Sequence, residues 1–588
     1  MSPNDKLIRK TFIGIWMIHG TGVLLSIACV LIDAVFTGQF LGPEAVAAAG
    51  LVNPITLIVN MLMALIGSGL GIVCTRFMGM AKLDMVNKVF SVVMTVNLFI
   101  SVFCTLLLFF AAPGIAGALG AKTGSPEIIQ MTQDYLKGYA LAIVPLSYSL
   151  GLSGLMILDN DRGRGLLTMV ATLLSDVLFD ALNVTVFHGG MFGMALATAL
   201  SQVVGCAVVF SHFLRKDRML RFSPRGLDLR LMKDVLLSGV PNSVSVGSIA
   251  IKVMIFNEFM LTISTSVAVA GFSAANSLFT VVNSVCLGFY LTASSLVSFL
   301  FGEEDRNGIV KTLKIAVRMA MTIMFVISLA LFIFSRGAAR LLLDSEATEQ
   351  IEFASRFIRM MALQYLFFVA AFPLSGVYQG AGKNTLNYIF VGLREGIIPV
   401  ACSIGLGLAF GIKGFEAGLA LSGLMTLLSC SIIPSIVNKR LSLKYDDVVL
   451  IEKDFGSKEE DLFEASMRSM EEVSAVSDEV IRFCRSRGKD KKLANNAALC
   501  IEEMSGNSIT YGMEKGKKVN VDIRVICHPD SMVIRIRDDG APFDPLTWYK
   551  LNNSDDPEVG LGIRLIMGLA KDVKYIPAMG LNSLMISL

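Results

Sequence analysis

About twelve apolar stretches, each long enough to cross a bilayer as a helix, fill residues 11–440 of a 588-residue chain. Nothing constrains the fold more. In lipid every backbone N–H and C=O must find a partner within its own segment, so such stretches become helices. The runs fall near 12–37, 51–75, 89–112, 134–158, 165–188, 192–214, 236–261, 272–301, 310–335, 355–378, 385–409 and 414–437. The first stretch, 11–36, is too long for a cleavable leader and reads as the first span. Only 17% of residues are charged, well below the quarter or so usual in soluble chains. Residues 445–588, by contrast, have an ordinary soluble composition. The net charge of +3 argues against nucleic acid as a partner. The ten cysteines form no Cys-x-x-Cys pair, so neither a zinc site nor a disulfide framework is indicated.

The loops orient the spans. Lys6, Arg9 and Lys10 precede the first. Alternate loops then carry Arg76, Lys82 and Lys88; Arg162 and Arg164; a basic run from Arg215 to Lys233; Arg306, Lys311 and Lys314; and Lys383. Lys439, Arg440 and Lys444 follow the last span, while the opposite loops hold little beyond Lys122, Arg336, Arg340 and Lys413. By the positive-inside rule both termini are expected in the cytoplasm of a bacterial cell, and an even span count agrees.

The membrane portion also repeats itself. Val46-Ala47-Ala48-Ala49-Gly50 returns as Val267-Ala268-Val269-Ala270-Gly271, and Gly190-Met191-Phe192-Gly193 as Gly411-Ile412-Lys413-Gly414, both 221 residues on. Six spans per repeat is an even number, so the halves insert in the same orientation, as in transporters that hold substrate between two rocking bundles. The expected lobes are 1–220 and 221–440, joined by the basic segment 215–235 containing Pro224. A soluble domain, 445–588, follows.

An ionisable side chain inside a span is costly unless it faces a cavity or a partner. The first half has Asp33 in span 1, and Asp176 with Asp180 one helical turn apart in span 5. Two close carboxylates favour a bound cation or a shared proton. Asn183 and Thr198 offer neutral oxygens, which hard cations accept. The second half instead has Lys252 and Glu258 in span 7, and adjacent Arg394 and Glu395 in span 11. Substrate contact, inter-helix pairing and interfacial snorkelling are all open for these.

Residues 10–440 resemble the MATE (multidrug and toxic compound extrusion) transporters. The likeness rests on Asp33-x-x-Phe36-x-Gly38, Leu41-Gly42, Ala47-Ala48-Ala49-Gly50, Asp180, Phe192-Gly193-Met194-Ala195-Leu196-Ala197-Thr198, and Tyr378-Gln379-Gly380-Ala381-Gly382-Lys383. It implies an antiporter in which Na⁺ or H⁺ enters through the first lobe while a small organic, often cationic, compound leaves. Asp33, Asp180 and Thr198 match the family's cation-site positions. Asp176 stands where the family usually has Asn, which leaves the choice of ion open.

In the soluble end, 461–487 has a helical pattern and Lys491 to Thr510 a second. Val519 to Val525 and Met532 to Arg537 alternate like strands, and a last strand is expected near 582–588. Gly560-Leu561-Gly562 opens a helix, where backbone N–H groups meet an anion readily. The ordered set Glu503-x-x-x-Asn507, Asp538-x-Gly540 and Gly560-x-Gly562 resembles the GHKL ATP-binding fold, in particular the serine kinases that act as anti-sigma factors. That resemblance implies Mg²⁺ held by Asn507, an adenine amino group donating to Asp538, room for the base at Gly540, phosphates flanked by Gly560 and Gly562, and Glu503 as general base. Pro542 replaces the family's second glycine, and the lid between Pro545 and Gly560 is short. Walker A is absent, so pumping driven directly by ATP is not indicated.

The expected fold is therefore an all-α polytopic membrane protein of twelve helices in two parallel six-helix repeats, plus a C-terminal α+β domain. The expected function is cation-coupled export with a regulatory or signalling ATP-binding domain. A membrane-tethered serine kinase acting on an anti-sigma-antagonist-like protein, or a flippase for a lipid-linked substrate, is the alternative.

Overall fold

The structure is a computed structural model that describes residues 3–120, 125–215, 218–223, 228–343, 348–512, 518–552 and 560–588. Pro224 of the linker and the stretch 553–559 of the expected lid lie outside the described residues. The first half contains α1 (Pro3–Phe36), α2 (Pro43–Gly79), α3 (Leu83–Gly120), α4 (Pro126–Leu158), α5 (Arg162–Leu182) and α6 (Gly190–Phe210). The second contains α7 (Arg230–Ile263), α8 (Ser266–Gly302), α9 (Arg306–Ile333), α10 (Ser335–Leu342), α11 (Thr348–Phe368), α12 (Ala371–Gly380), α13 (Asn384–Gly392) and α14 (Ile398–Asn438).

Ten helices among the described residues are long and apolar enough to cross a membrane. The pair α11 and α12, bent by 41° at a short break, makes an eleventh. The segment Asn384–Asn438 counts as one of the ten, yet its backbone breaks at Gly411 (φ 62°, ψ −148°). Two spans meet there, giving the twelve expected crossings. Gly190, its repeat-mate, also has positive φ, 57°. The left-handed region is where glycine turns a chain at least cost, so the repeated glycine marks the same corner in both halves.

The halves pack against each other at the end that carries the C-terminal domain. A Cβ on Gly79 would lie 2.1 Å from Phe299 O and 3.0 Å from Gly302 Cα, and one on Gly239 would lie 1.8 Å from Leu65 O. Ser298 Oγ donates to Ile72 O at 2.7 Å and Ser243 Oγ to Met61 O at 2.9 Å. Small residues let backbones approach this closely where lipid supplies no hydrophobic drive between helices.

After α15 (Tyr445–Val448), the C-terminal domain runs β1 (Leu462–Met467), α16 (Met470–Ser486), α17 (Lys491–Tyr511), β2 (Val521–Cys527), β3 (Met532–Asp538), α18 (Pro545–Leu551), α19 (Leu561–Leu569), β4 (Asp572–Ala578) and β5 (Leu581–Ser587). The sheet is antiparallel, ordered β1-β2-β3-β5-β4. Val521, Ile523 and Val525 face one side with Ile534, Ile536 and Ile586, forming a core with α16, α17 and α19.

Two readings are corrected here. Residues 461–487 are not one helix: 462–467 form an edge strand, Leu462 opposite Ile526, and α16 starts only after Ser469 accepts from Glu472 N. Phe463, Ala465 and Met467 alternate inward with period two, a signal too short to compete with the helical one beside it. The second edge strand, β4, contains Pro577, which the end of an edge tolerates and which hid it in the sequence.

Candidate functional site

Three carboxylates converge in the first lobe. Asp33 on α1 and Asp176 with Asp180 on α5 present oxygens all within 4.8 Å of one another. Asp180 is fully buried, and neither of its oxygens has a hydrogen-bond donor; one oxygen of Asp33 is likewise bare. Asp176 is partly satisfied, accepting from Ser201 Oγ at 2.8 Å. Acceptor oxygens packed this closely, with no cation among them, suit a small hard cation or protons.

The remaining two expected ligands are placed differently. Both ends of the Asn183 amide are committed to the α5–α6 turn: Oδ1 accepts from Gly189 N at 3.0 Å and Nδ2 donates to Gly190 O at 3.2 Å. Thr198 is on α6, its hydroxyl directed to Met194 O at 3.5 Å. Ser201, one turn further along α6, is the hydroxyl that reaches the cluster. A serine three residues from an expected ligand, on the same helix face, was the available signal.

The second lobe balances its own charge. Arg394 Nε and Nη2 donate to Glu395 Oε1 at 3.0 and 2.9 Å, and Nη1 donates to Ser375 Oγ at 3.1 Å. The guanidinium lies over Phe372, 3.9 Å from the ring centroid. Lys252 Nζ sits 3.9 Å from Glu395 Oε2, and Glu258 is exposed. Neighbours on a regular helix point apart, but Leu393–Ile397 is a π-helical turn, whose wider winding brings Arg394 onto Glu395. Lys252 with Glu395, and Arg394 with Ser375, are the inter-helix contacts among these residues.

A third site is a pocket of about 680 Å³ in the C-terminal domain, lined by Glu503, Asn507, Asp538, Trp548, Gly562 and Tyr575 among others. Asp538 ends β3, 7% exposed, with both oxygens taken. Ser508 Oγ donates to Oδ2 at 2.9 Å, while Asn582 Nδ2 and Gly540 N donate to Oδ1 at 2.7 and 2.9 Å. Burial pushes its carboxyl above the ordinary aspartate range, against the opposing pull of these three donors. Tyr575 OH donates to Asn582 Oδ1 at 2.8 Å and accepts from Phe543 N at 3.0 Å, fixing the pocket wall. Glu503 and Asn507 lie one turn apart on α17, facing α19. A Cβ on Gly562 would meet Glu503 Oε2 at 1.9 Å, so a larger residue there would have to push the Glu503 carboxylate aside. The size suits a nucleotide-sized ligand. A buried acceptor, an amide oxygen and a helix start at α19 are a donor set into which Mg-ATP fits. Sequence reasoning missed Ser508, which directly follows Asn507 on α17, and Trp548, Tyr575 and Asn582, which come from elements outside the motifs.

The membrane bundle and this pocket together define a polytopic transporter with an attached nucleotide-site domain. Two family models match the chain. MatE matches residues 21–182 and 244–401, and a histidine kinase-like ATPase domain matches 467–587. The chain belongs to the MatE family and carries a histidine kinase-like ATPase domain at its C-terminal end. It is 22% identical over 431 residues to multidrug export protein MepA of Staphylococcus saprophyticus, covering 72% of this chain and 92% of that one. To MepA of Staphylococcus aureus strain MRSA252 it is 20% identical over 436 residues, covering 73% and 94%. Among solved structures, an outward-facing multidrug-resistance MATE transporter has a TM-score of 0.67 at 19% identity, covering 72% and 94%. A Vibrio cholerae MATE transporter has 0.68 at 16% identity, covering 75% and 99%. Each of the four covers about three quarters of this chain.

Proposed function

We propose that the chain is an ion-coupled antiporter of a bacterial cytoplasmic membrane that exports small organic compounds, cationic ones included. The observation that carries this reading is the Asp33–Asp176–Asp180 cluster, whose bare oxygens call for a cation or protons. Na⁺ or H⁺ entering through this lobe would be exchanged for the exported compound. The MepA relatives are named as multidrug export proteins, which favours a broad substrate range. The basic loops favour a cytoplasmic position for both termini and for the C-terminal domain. The test is uptake of ethidium into inside-out vesicles under an imposed Na⁺ or H⁺ gradient. Uptake under one gradient, lost in Asp180→Asn, supports the reading; uptake that needs ATP and no gradient overturns it.

In the C-terminal domain, Asn507 would hold Mg²⁺ and Asp538 the adenine amino group, with Gly540 beside the base and Gly560 and Gly562 at the phosphates. ATP would supply either a signal for control of transport or a phosphoryl group. Glu503, beside Gly562 and one turn from Asn507, favours phosphoryl transfer to a serine of an anti-sigma-antagonist-like protein as a second reading, with Glu503 taking the hydroxyl proton. Fluorescent-nucleotide binding to the full chain, lost in Asn507→Ala, tests the shared part. Transfer of labelled phosphate to protein, lost in Glu503→Ala, tests the second.

A further inference from the structure

The sheet of the C-terminal domain has a second face, opposite α16, α17 and α19. Along its strands, that face carries Arg524, Arg535, Arg537 and Ser583, all at least nine-tenths buried. Charged residues alternating with apolar ones would normally face water. Here they are covered by the membrane bundle.

The second lobe supplies the turn between α8 and α9. Glu303 Oε2 accepts from Arg537 Nη1 at 3.2 Å, and Asp305 Oδ2 from Arg537 Nη2 at 2.7 Å. Ser583 Oγ donates to Glu303 Oε1 at 2.6 Å, and Arg524 reaches the carbonyls of Glu303 and Glu304 at 3.3 Å each. Burial alone would raise the Asp305 carboxyl, but Arg524 and Arg537 hold it well below its ordinary range. The first lobe supplies the opposite side. Arg162 donates to Met579 O, Asn160 Oδ1 accepts from Gly580 N at 2.8 Å, and Lys10 pairs with Asp539. Arg535 joins the two: its Nη1 donates to Gly79 O at 3.1 Å, in the first lobe, and lies 3.6 Å from Glu303 Oε1, in the second. It sits over the seam where Gly79 packs on Gly302.

We propose that the C-terminal domain is a brace: it holds the two lobes closed at its own end of the bundle, and nucleotide in its pocket sets the strength of the hold. Exchange between two access states requires the lobes to part at this end. They cannot do so while one rigid sheet is bonded to both, so one set of contacts must let go, and the brace restrains the cycle. The route from pocket to brace is one residue long. Asp538 of the pocket lies between Arg537 and Asp539, and Asn582 precedes Ser583. Neighbours on a strand point to opposite faces, so a ligand that repositions Asp538 and Asn582 moves the very residues that grip the lobes. This second half rests on the nucleotide reading of the pocket.

The test uses the full chain in nanodiscs, with spin labels attached through Lys82→Cys and Lys383→Cys in a background without other cysteines. Both positions are exposed, at the domain-bearing end, one in each lobe. Arg535→Ala, and independently the exposed rim change Lys10→Ala, are expected to add a population with a longer inter-label distance and to raise ethidium transport severalfold. The same distances in variants that still elute as folded monodisperse protein overturn the brace. Nucleotide binding is read separately with a fluorescent ATP analogue. A distance distribution that shifts with Mg-ATP, and not in Asn507→Ala, supports control of the hold. Nucleotide that binds without moving the distances overturns that control and leaves the pocket reading intact. No nucleotide binding overturns the pocket reading, whereas the response to Arg535→Ala judges the brace by itself.

Discussion

The two lobes share a fold and a repeated sequence, yet they bury charge in opposite ways. The first gathers three carboxylates with no cation among them and leaves both Asp180 oxygens bare. The second sets Arg394 against Glu395, Ser375 and Phe372, with Lys252 close by, so each charge already has a partner. A buried charge that lacks its partner is expensive, while a paired one is held in place by its surroundings. The first lobe therefore keeps acceptor oxygens free to take a cation or protons, whereas the second pairs its charges internally. That contrast is why the proposal of ion coupling rests on the first lobe.

The sharpest way to test this difference is to remove one member from each cluster and watch stability. Arg394→Ala strands Glu395 in the bundle interior and should cost about 3–5 kcal/mol, toward the lower end because Lys252 remains nearby. A thermal-unfolding measurement in detergent should register it as a large fall in Tm, with ion dependence of the residual transport unchanged. Asp180→Asn should do the reverse: it relieves repulsion among carboxylates, so Tm holds or rises. Its cost appears in transport, as a loss of roughly a hundredfold in apparent ion affinity, about 2.7 kcal/mol. If Asp180→Asn lowers Tm as much as Arg394→Ala, the contrast between the lobes is wrong. Ser201→Ala is the finer probe. It removes one hydroxyl from Asp176, an effect of about 1 kcal/mol, and should shift ion affinity several-fold without abolishing coupling.

How much of this was legible beforehand depended on whether the signal was local. Spans, breaks and repeats are written in consecutive residues, so the bundle and the break between 409 and 414 could be read directly. Asp33, Asp176 and Asp180 were visible because a lone carboxylate in an apolar helix is conspicuous. Asn183 is engaged in the α5–α6 turn, since a polar side chain near a helix end serves the turn as readily as an ion. The pairing of Arg394 with Glu395 was illegible because nothing in the residues announced a π-helical turn. The burial of Arg524, Arg535 and Arg537 was not legible, because only assembly with the α8–α9 turn covers that face of the sheet. Tyr575 and Asn582 were unreadable because they reach the nucleotide pocket through pairing of strands far from the motif.

A buried carboxylate that carries its own donors gives a third case, and pH separates it from the other two. Asp538 is raised above the ordinary aspartate value of about 3.9. A group raised in the folded state binds its proton at a higher pH than in the unfolded chain, so acidification through that range stabilises the folded domain. The proton also spoils the ionised acceptor that an adenine amino group needs. Nucleotide affinity should therefore begin to fall while the pH is still above the ordinary aspartate range, with no loss of folded domain. Asp305 behaves oppositely: its carboxyl is held low by Arg524 and Arg537, so its contribution to the interface persists until the pH drops below that range. Titrating fluorescent-nucleotide binding alongside the inter-lobe distance on the same sample distinguishes them. Affinity that declines modestly while the distance, read before nucleotide is added, stays fixed is the expected result. Affinity flat down to a pH of about 4 would mean that Asp538 keeps its charge, and that its three donors outweigh its burial.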